Sequence, residues 1–134
     1  MTDFRAITAA FAVSPQISPA DVAAARAEGF ELIVNNRPDG ETPDQPPGAE
    51  IAAAAAWEGL AYVEIPVRGR PGPREGEAMH AACAGGKTLA FCRTGTRSIV
   101  AWALGEQAAG ARSRAELLSL AAAAGYDLGG VLPD

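Results

Sequence analysis

Residues 89–98 read LAFCRTGTRS, and this stretch decides the fold class. The apolar residues before Cys92 predict a buried strand, and the alanine-rich pattern that follows Ser98 predicts a helix. A strand, a short glycine-centred loop and a helix in this order are typical of parallel α/β sheets, which bind ligands where their strands end. Backbone N–H groups at a helix start attract anions and favour thiolate over thiol. We therefore expect Cys92 to be a nucleophile that faces a small oxyanion.

The cysteine loop, residues 92–97, carries the groups that an anion site needs. Arg93 and Arg97 add positive charge, and the intervening residues Thr94, Gly95 and Thr96 supply backbone amides. The competing interpretation is a buried structural cysteine beside an ordinary turn. The glycine, the two arginines and the following helix together favour a catalytic Cys92 and Arg97, with substrate bound by the other loop residues.

Composition and charge limit the kinds of partner that we expect this protein to bind. The 134 residues fit one domain, and a formal charge of −5 argues against binding nucleic acid or anionic membranes through bulk electrostatics. The spacing of the two cysteines, Cys83 and Cys92, matches neither a zinc site nor a C-x-x-C pair, so we expect a reducing compartment and no metal or other cofactor. The N-terminal segment MTDFRAITAAF lacks a long apolar run, which predicts a cytoplasmic protein without a signal peptide or membrane span.

Strand and helix patterns alternate along the chain. Strands are predicted at residues 11–13, 30–36, 60–67 and 87–91, and helices at 19–28, 49–58, 74–84, 98–109 and 113–125. Alternation at this spacing predicts a single α/β domain over residues 1–134, with a mostly parallel sheet of about four strands between two layers of helices. Trp57, Trp102 and Tyr62 lie among apolar neighbours and are predicted to be core aromatics.

Three loops should meet at one edge of this sheet, because parallel strands end on the same side. The loops are residues 37–40, 68–74 and 92–97. Six of the eleven basic residues lie in them: Arg37, Arg68, Arg70, Arg74, Arg93 and Arg97. We expect Arg37 to join the cysteine loop in binding the substrate. The alternative for the arginines at 68, 70 and 74 is that they are simply solvated.

Three segments carry a family resemblance: NNRPDGE at 35–41, AYVEIPV at 61–67 and FCRTGTRS at 91–98. Together they resemble the small bacterial family called beta-lactamase hydrolase-like protein, phosphatase-like domain, which is similar in fold to the cysteine-dependent dual-specificity phosphatases. The resemblance implies that Cys92 attacks phosphorus and that Arg97 holds two phosphoryl oxygens. It also places Ser98 where those enzymes carry a hydroxyl that eases departure of the thiolate.

Two departures from that pattern leave the reaction open. Four residues separate Cys92 from Arg97, whereas the dual-specificity signature has five, and the shorter loop also resembles that of single-domain rhodaneses, which carry a persulfide. The segment RGRPGPRE at 68–75 lacks the general-acid aspartate of those phosphatases. Asp39 is a candidate substitute, although Pro-Asp-Gly is also an ordinary turn former.

The sequence is therefore consistent with three functions, all of which involve a small anionic ligand. The first is hydrolysis of a phosphate monoester through a cysteinyl-phosphate, and the second is sulfur transfer through a Cys92 persulfide. The third is a non-catalytic anion-binding module. Cys83 is interpreted as a small core residue, with a resolving thiol for Cys92 as the alternative.

Overall fold

Helices and strands alternate in the order that the sequence predicts, with one additional strand at the start. A computed structural model describes residues 2–134. The strands are β1 (Arg5–Thr8), β2 (Phe11–Ser14), β3 (Leu32–Asn35), β4 (Ala61–Glu64) and β5 (Thr88–Phe91). The helices are α1 (Pro19–Ala27), α2 (Gly48–Glu58), α3 (Pro73–Cys83), α4 (Thr96–Ala108) and α5 (Arg114–Ala123).

The sheet has the strand order β1-β2-β5-β3-β4. Strands β2, β5, β3 and β4 run parallel, whereas β1 is antiparallel to β2. The prediction of about four mostly parallel strands is confirmed for these four but missed β1. The turn between β1 and β2, Ala9-Ala10, contains neither the glycine nor the asparagine that usually marks a tight hairpin.

Two hydrophobic layers cover the sheet because neighbouring strand residues point to opposite faces. Ile33 and Leu89 pack with α1 and α2, whereas Val34 and Ala90 pack with α3, α4 and α5. The buried helix residues on the first face include Val22 and Ile51, and those on the second include Met79, Ile99 and Leu117. The parallel strands thus have both faces covered, and their ends remain as the place for a site.

The tryptophans occupy different environments. Trp102 is buried and stacks on Phe11 with ring centroids 4.8 Å apart, as predicted for a core aromatic. The prediction for Trp57 is wrong, because its side chain is 88% exposed. Trp57 lies two positions after the buried Ala55, which places it on the opposite side of α2. The alanine-rich sequence of that helix does not reveal which side packs against the sheet.

The helices and the metal-ligating side chains bear on the expected partners. No helix within residues 2–134 combines the length and the apolar character that a bilayer crossing requires. In the same part of the chain, no three His, Cys, Asp or Glu side chains are grouped so that they could hold a metal ion.

Candidate active site

The cysteine loop lies at the centre of the sheet edge. Strand β5 runs between β2 and β3, so Cys92 emerges with a strand end on each side. The Cys92 amide donates to Ser14 O at the end of β2 (3.4 Å), and the Asn36 amide after β3 donates to Phe91 O (2.8 Å). The flanking strands therefore position the first residue of the loop.

The Cys92 sulfur is buried against the start of α4. Its Sγ atom accepts a hydrogen bond from the Gly95 amide at 3.0 Å. Gly95 is the N-cap of α4 and has a φ of +92°, a left-handed conformation that favours glycine. Helix α4 begins at Thr96, two residues earlier than predicted, so the cysteine loop leads directly into the helix. The Gly95 amide and the positive end of the helix dipole lie beside the sulfur, where such groups stabilise negative charge.

Arg97 is held by acceptors that directly flank the other two predicted loops. Its Nη1 and Nη2 atoms donate to the two carboxylate oxygens of Glu41 at 2.7 and 2.8 Å, and Nη1 also donates to Val67 O at 2.8 Å. Glu41, followed by the smaller influence of the Cys92 sulfur, raises the pKa of Arg97. The three hydrogen bonds set the orientation of the guanidinium, and its charge lies close enough to interact with the Cys92 sulfur. The expected meeting of three loops at this edge is thus observed.

Arg37 donates to the same Glu41 carboxylate that holds Arg97. Its side chain is buried, and its three nitrogens donate to Glu41 Oε1, Gln16 Oε1 and Thr42 Oγ1 at 3.0, 3.0 and 3.2 Å. Arg37 is predicted to bind substrate. In the structure each of its three nitrogens donates to a protein oxygen, and the contact with Glu41 links Arg37 to Arg97.

Glu41 joins the two arginines and was not among the residues singled out from the sequence. Arg97 first, and then Arg37, lowers the pKa of the Glu41 carboxyl to about 2. Glu41 is therefore ionised at neutral pH and bridges two positive charges. Its position four residues after Arg37, in the segment NNRPDGE, was the available signal.

Asp39 lies at the start of α2. Its Oδ1 atom accepts a hydrogen bond from the Gly48 amide at 2.8 Å, while the N-cap residue of that helix, Pro47, has no side-chain acceptor. Asp39 therefore satisfies a helix amide that would otherwise lack a partner. This contact favours the turn interpretation of Asp39 over the predicted catalytic role.

Ser98 directly follows Arg97 in the first turn of α4. Its side chain is fully buried, and Oγ has no hydrogen-bond partner within residues 2–134. A buried hydroxyl without a partner is costly unless something else engages it. The position and the unused hydrogen bond both suit the predicted role toward the sulfur.

The remaining loop residues face solvent. Arg93, Thr94 and Thr96 are exposed, and Thr94 Oγ1 donates to Thr96 Oγ1 at 3.0 Å. Arg93 borders a surface cleft that is also lined by Arg37 and Gln45. The arginines at 68, 70 and 74 are exposed as well. They make no side-chain hydrogen bond or ion pair with the described part of the protein.

A second residue beyond the sequence prediction also contacts the loop. The hydroxyl of Tyr126, which follows α5, donates to Thr94 O at 2.9 Å. The segment containing it, GYDL, carries no pattern that indicates such a contact, since the two residues are 32 positions apart.

Comparison with known proteins assigns the family. The family model for "Beta-lactamase hydrolase-like protein, phosphatase-like domain" matches residues 3–111. The chain belongs to this family. A curated relative from Xylella fastidiosa, named beta-lactamase hydrolase-like protein, is 40% identical over 104 residues. That match covers 75% of this chain but only 24% of the relative, so the chain spans about a quarter of the relative's length.

Solved structures of phosphatases share the fold. A candidate phosphatase from Neisseria meningitidis has a TM-score of 0.80 and 29% identity, covering 92% of this chain and 89% of the other. TpbA of P. aeruginosa, solved with pTyr, has a TM-score of 0.64 and 14% identity, covering 89% and 71% of the two chains. PTPMT1, solved with PI(5)P, has a TM-score of 0.69 and 14% identity, covering 90% and 81%. The chain therefore has the fold of the cysteine phosphatases, and the last two neighbours were solved with small phosphorylated ligands.

Proposed function

We propose that this family member hydrolyses phosphate monoesters, with Cys92 as the nucleophile. The observation that carries the proposal is the Gly95 amide 3.0 Å from the Cys92 sulfur, at the start of a helix and beside the Arg97 guanidinium. An amide donor, a helix N-terminus and a guanidinium each stabilise a thiolate and a bound oxyanion. The phosphatase-type family and fold support the same reaction.

In the first step, the Cys92 thiolate attacks phosphorus while the ester P–O bond breaks and the alcohol oxygen leaves with the bonding electrons. The guanidinium of Arg97 and the amides of residues 93–96 hold the phosphoryl oxygens as their charge shifts. Water then attacks phosphorus, the S–P bond breaks, and inorganic phosphate and the thiolate are released. The Ser98 hydroxyl donates to the sulfur as it departs.

The leaving group sets the ester class. Because Asp39 is engaged by the Gly48 amide and the segment 68–75 contains no aspartate, the site lacks an assigned proton donor. An aryl oxide leaves without protonation far more readily than an alkyl alkoxide. We therefore propose small aryl phosphates as the favoured substrates. The free Cys92 thiol would be kept reduced in a reducing compartment, which supports the proposal of a cytoplasmic location.

Sulfur transfer is the second candidate, and the four-residue spacing between Cys92 and Arg97 favours it. Here the thiolate attacks the outer sulfur of thiosulfate, the S–S bond breaks, and sulfite leaves with the electron pair. An acceptor such as cyanide then attacks the terminal sulfur of the Cys92 persulfide, which forms thiocyanate and restores the thiolate. Neither leaving group needs a proton, in agreement with the absence of an assigned acid.

Intact mass distinguishes these reactions. Wild-type protein and Cys92→Ser are exposed briefly to thiosulfate or to an aryl phosphate and quenched in acid. A phosphoryl adduct on wild type alone supports the phosphatase reaction, and a gain of one sulfur on wild type alone supports sulfur transfer. Neither adduct, together with slow alkylation of Cys92, would overturn both reactions in favour of an anion-binding module.

A further inference from the structure

Tyr126 packs against the cysteine loop from outside the part of the chain that matches the family. The family match ends at residue 111, whereas Tyr126 follows α5 and is 8% exposed. A Cβ atom added to Gly95 would collide with the Tyr126 hydroxyl oxygen. Position 95 therefore requires glycine for two reasons, its positive φ and the closeness of this tyrosine.

Tyr126 holds the same peptide group that contacts the sulfur. The Thr94 carbonyl, which accepts from the Tyr126 hydroxyl at 2.9 Å, and the Gly95 amide, which donates to Cys92 Sγ at 3.0 Å, are the two ends of one peptide bond. A hydrogen bond to the carbonyl sets the plane of the peptide and polarises it, which makes its N–H a stronger donor.

Arg5 and Asp3 continue this chain of contacts toward the surface. Arg5 Nη1 donates to the Tyr126 oxygen at 3.0 Å, and its guanidinium carbon lies 5.3 Å from the centroid of the tyrosine ring. Asp3 accepts from Arg5 Nε and Nη2 at 3.1 and 2.9 Å. Burial raises the pKa of Tyr126, so the hydroxyl stays protonated and keeps donating to Thr94.

We propose that Tyr126, oriented by Arg5, is a positioning residue that aims the Thr94–Gly95 peptide at Cys92 and so keeps the sulfur reactive near neutral pH. This inference rests on the proposed function, because it concerns the same thiolate. The charged and titratable groups that face Cys92 are Arg97 from α4 and Tyr126 from beyond α5. Behind them lie Glu41 and Arg37 on one side, and Arg5 and Asp3 on the other.

The test is the rate of alkylation of Cys92 by iodoacetamide as a function of pH, in a Cys83→Ser background with a single thiol. Tyr126→Phe removes only the hydroxyl. Loss of the hydroxyl should raise the pH at which the alkylation rate is half-maximal by about half a unit to one unit, as expected for one weakened hydrogen bond. The plateau rate at high pH should stay unchanged. An unshifted midpoint would overturn the proposal.

Arg5→Gln is the second variant, and it preserves the tyrosine. It should shift the midpoint in the same direction by a smaller amount. Adding it to Tyr126→Phe should cause no further shift, because Arg5 acts through the tyrosine hydroxyl. Full additivity of the two shifts would contradict this order of contacts.

Tyr62→Phe is the matched control, since it removes the hydroxyl of the chain's other tyrosine. That hydroxyl contacts Asn35 and Glu64, not the cysteine loop, so the midpoint should stay at the wild-type value. The wild-type curve separately tests the proposed function. A wild-type midpoint at the ordinary thiol value of about 8.5 would count against the nucleophile, whether or not Tyr126→Phe shifts it.

Discussion

Cys83 and Cys92 show how different environments act on the same side chain. Cys83 is the last residue of α3, at the negative end of the helix dipole, and is half-buried. Burial, assisted by the charge of Glu106, raises the pKa of Cys83 to about 11. Cys92 is more deeply buried, yet it lies before a helix start and accepts the Gly95 amide. The two sulfurs therefore differ in the hydrogen-bond donors around them as well as in their burial.

The comparison also bears on the two interpretations of Cys83. A resolving thiol must attack a sulfur on Cys92 as a thiolate, and a raised pKa keeps Cys83 protonated at neutral pH. Cys83 packs against the hydrophobic cluster that contains Met79 and Leu128. Its environment thus favours the interpretation as a small core residue.

The largest effect should come from replacing each cysteine in turn. Cys92→Ser should abolish turnover of an aryl phosphate, because a serine hydroxyl is not ionised by these donors. Cys83→Ser should retain it, because that side chain lies outside the cysteine loop. Steady-state kinetics on both variants checks the pair. Turnover that survives in Cys92→Ser would remove the basis of the comparison.

Arg97→Lys should have the next largest effect. Lysine keeps the charge but loses the planar guanidinium, whose Nη1 and Nη2 donate to Glu41 and whose other N–H groups are proposed to bind the oxyanion, so kcat/KM should fall by about a hundredfold. Arg26→Lys, on the exposed surface of α1, is the matched control and should behave as wild type. Wild-type kinetics in Arg97→Lys would rule out paired binding of the oxyanion by this residue.

Glu41→Gln should reveal a pH-dependent contribution to stability. The pKa of Glu41 is lowered to about 2 in the folded protein, so its ionised form stabilises the fold above the ordinary carboxyl range. This contribution should be constant from pH 7 to about 5 and disappear as the pH falls toward about 2. Urea unfolding of wild type and Glu41→Gln across that range measures it. A difference in unfolding free energy that does not change with pH would contradict the ion pair.

Asp39→Asn should have the smallest effect. Asparagine can still accept from the Gly48 amide, so only the favourable charge at the start of α2 is lost, about 0.5 kcal/mol of unfolding free energy. Turnover of aryl and alkyl phosphates should stay at the wild-type ratio. A strong drop confined to alkyl phosphates would instead make Asp39 the general acid.

Local patterns predicted most of the fold because they act within one turn or one strand. Ser18 and Asp21 form a reciprocal cap at the start of α1, and both contacts lie within one turn. The two misjudged features have different causes. Strand β1 pairs with its neighbour β2 through a turn that carries no turn signal, and the exposure of Trp57 follows from the side of α2 that meets the sheet.

The sequence by itself determined the strand, the cysteine loop and the helix that begins beside Cys92, because amide donors and loop charges are set by neighbours in the chain. Only the tertiary structure decided which side chains hold the loop in place. Glu41 meets Arg97 across 56 positions, and Tyr126 meets Thr94 across 32. Glu41 reaches Arg97 because parallel strands end at one edge of the sheet and bring together loops that are far apart in sequence. Tyr126 reaches Thr94 because α5 and the residues after it pack against the sheet.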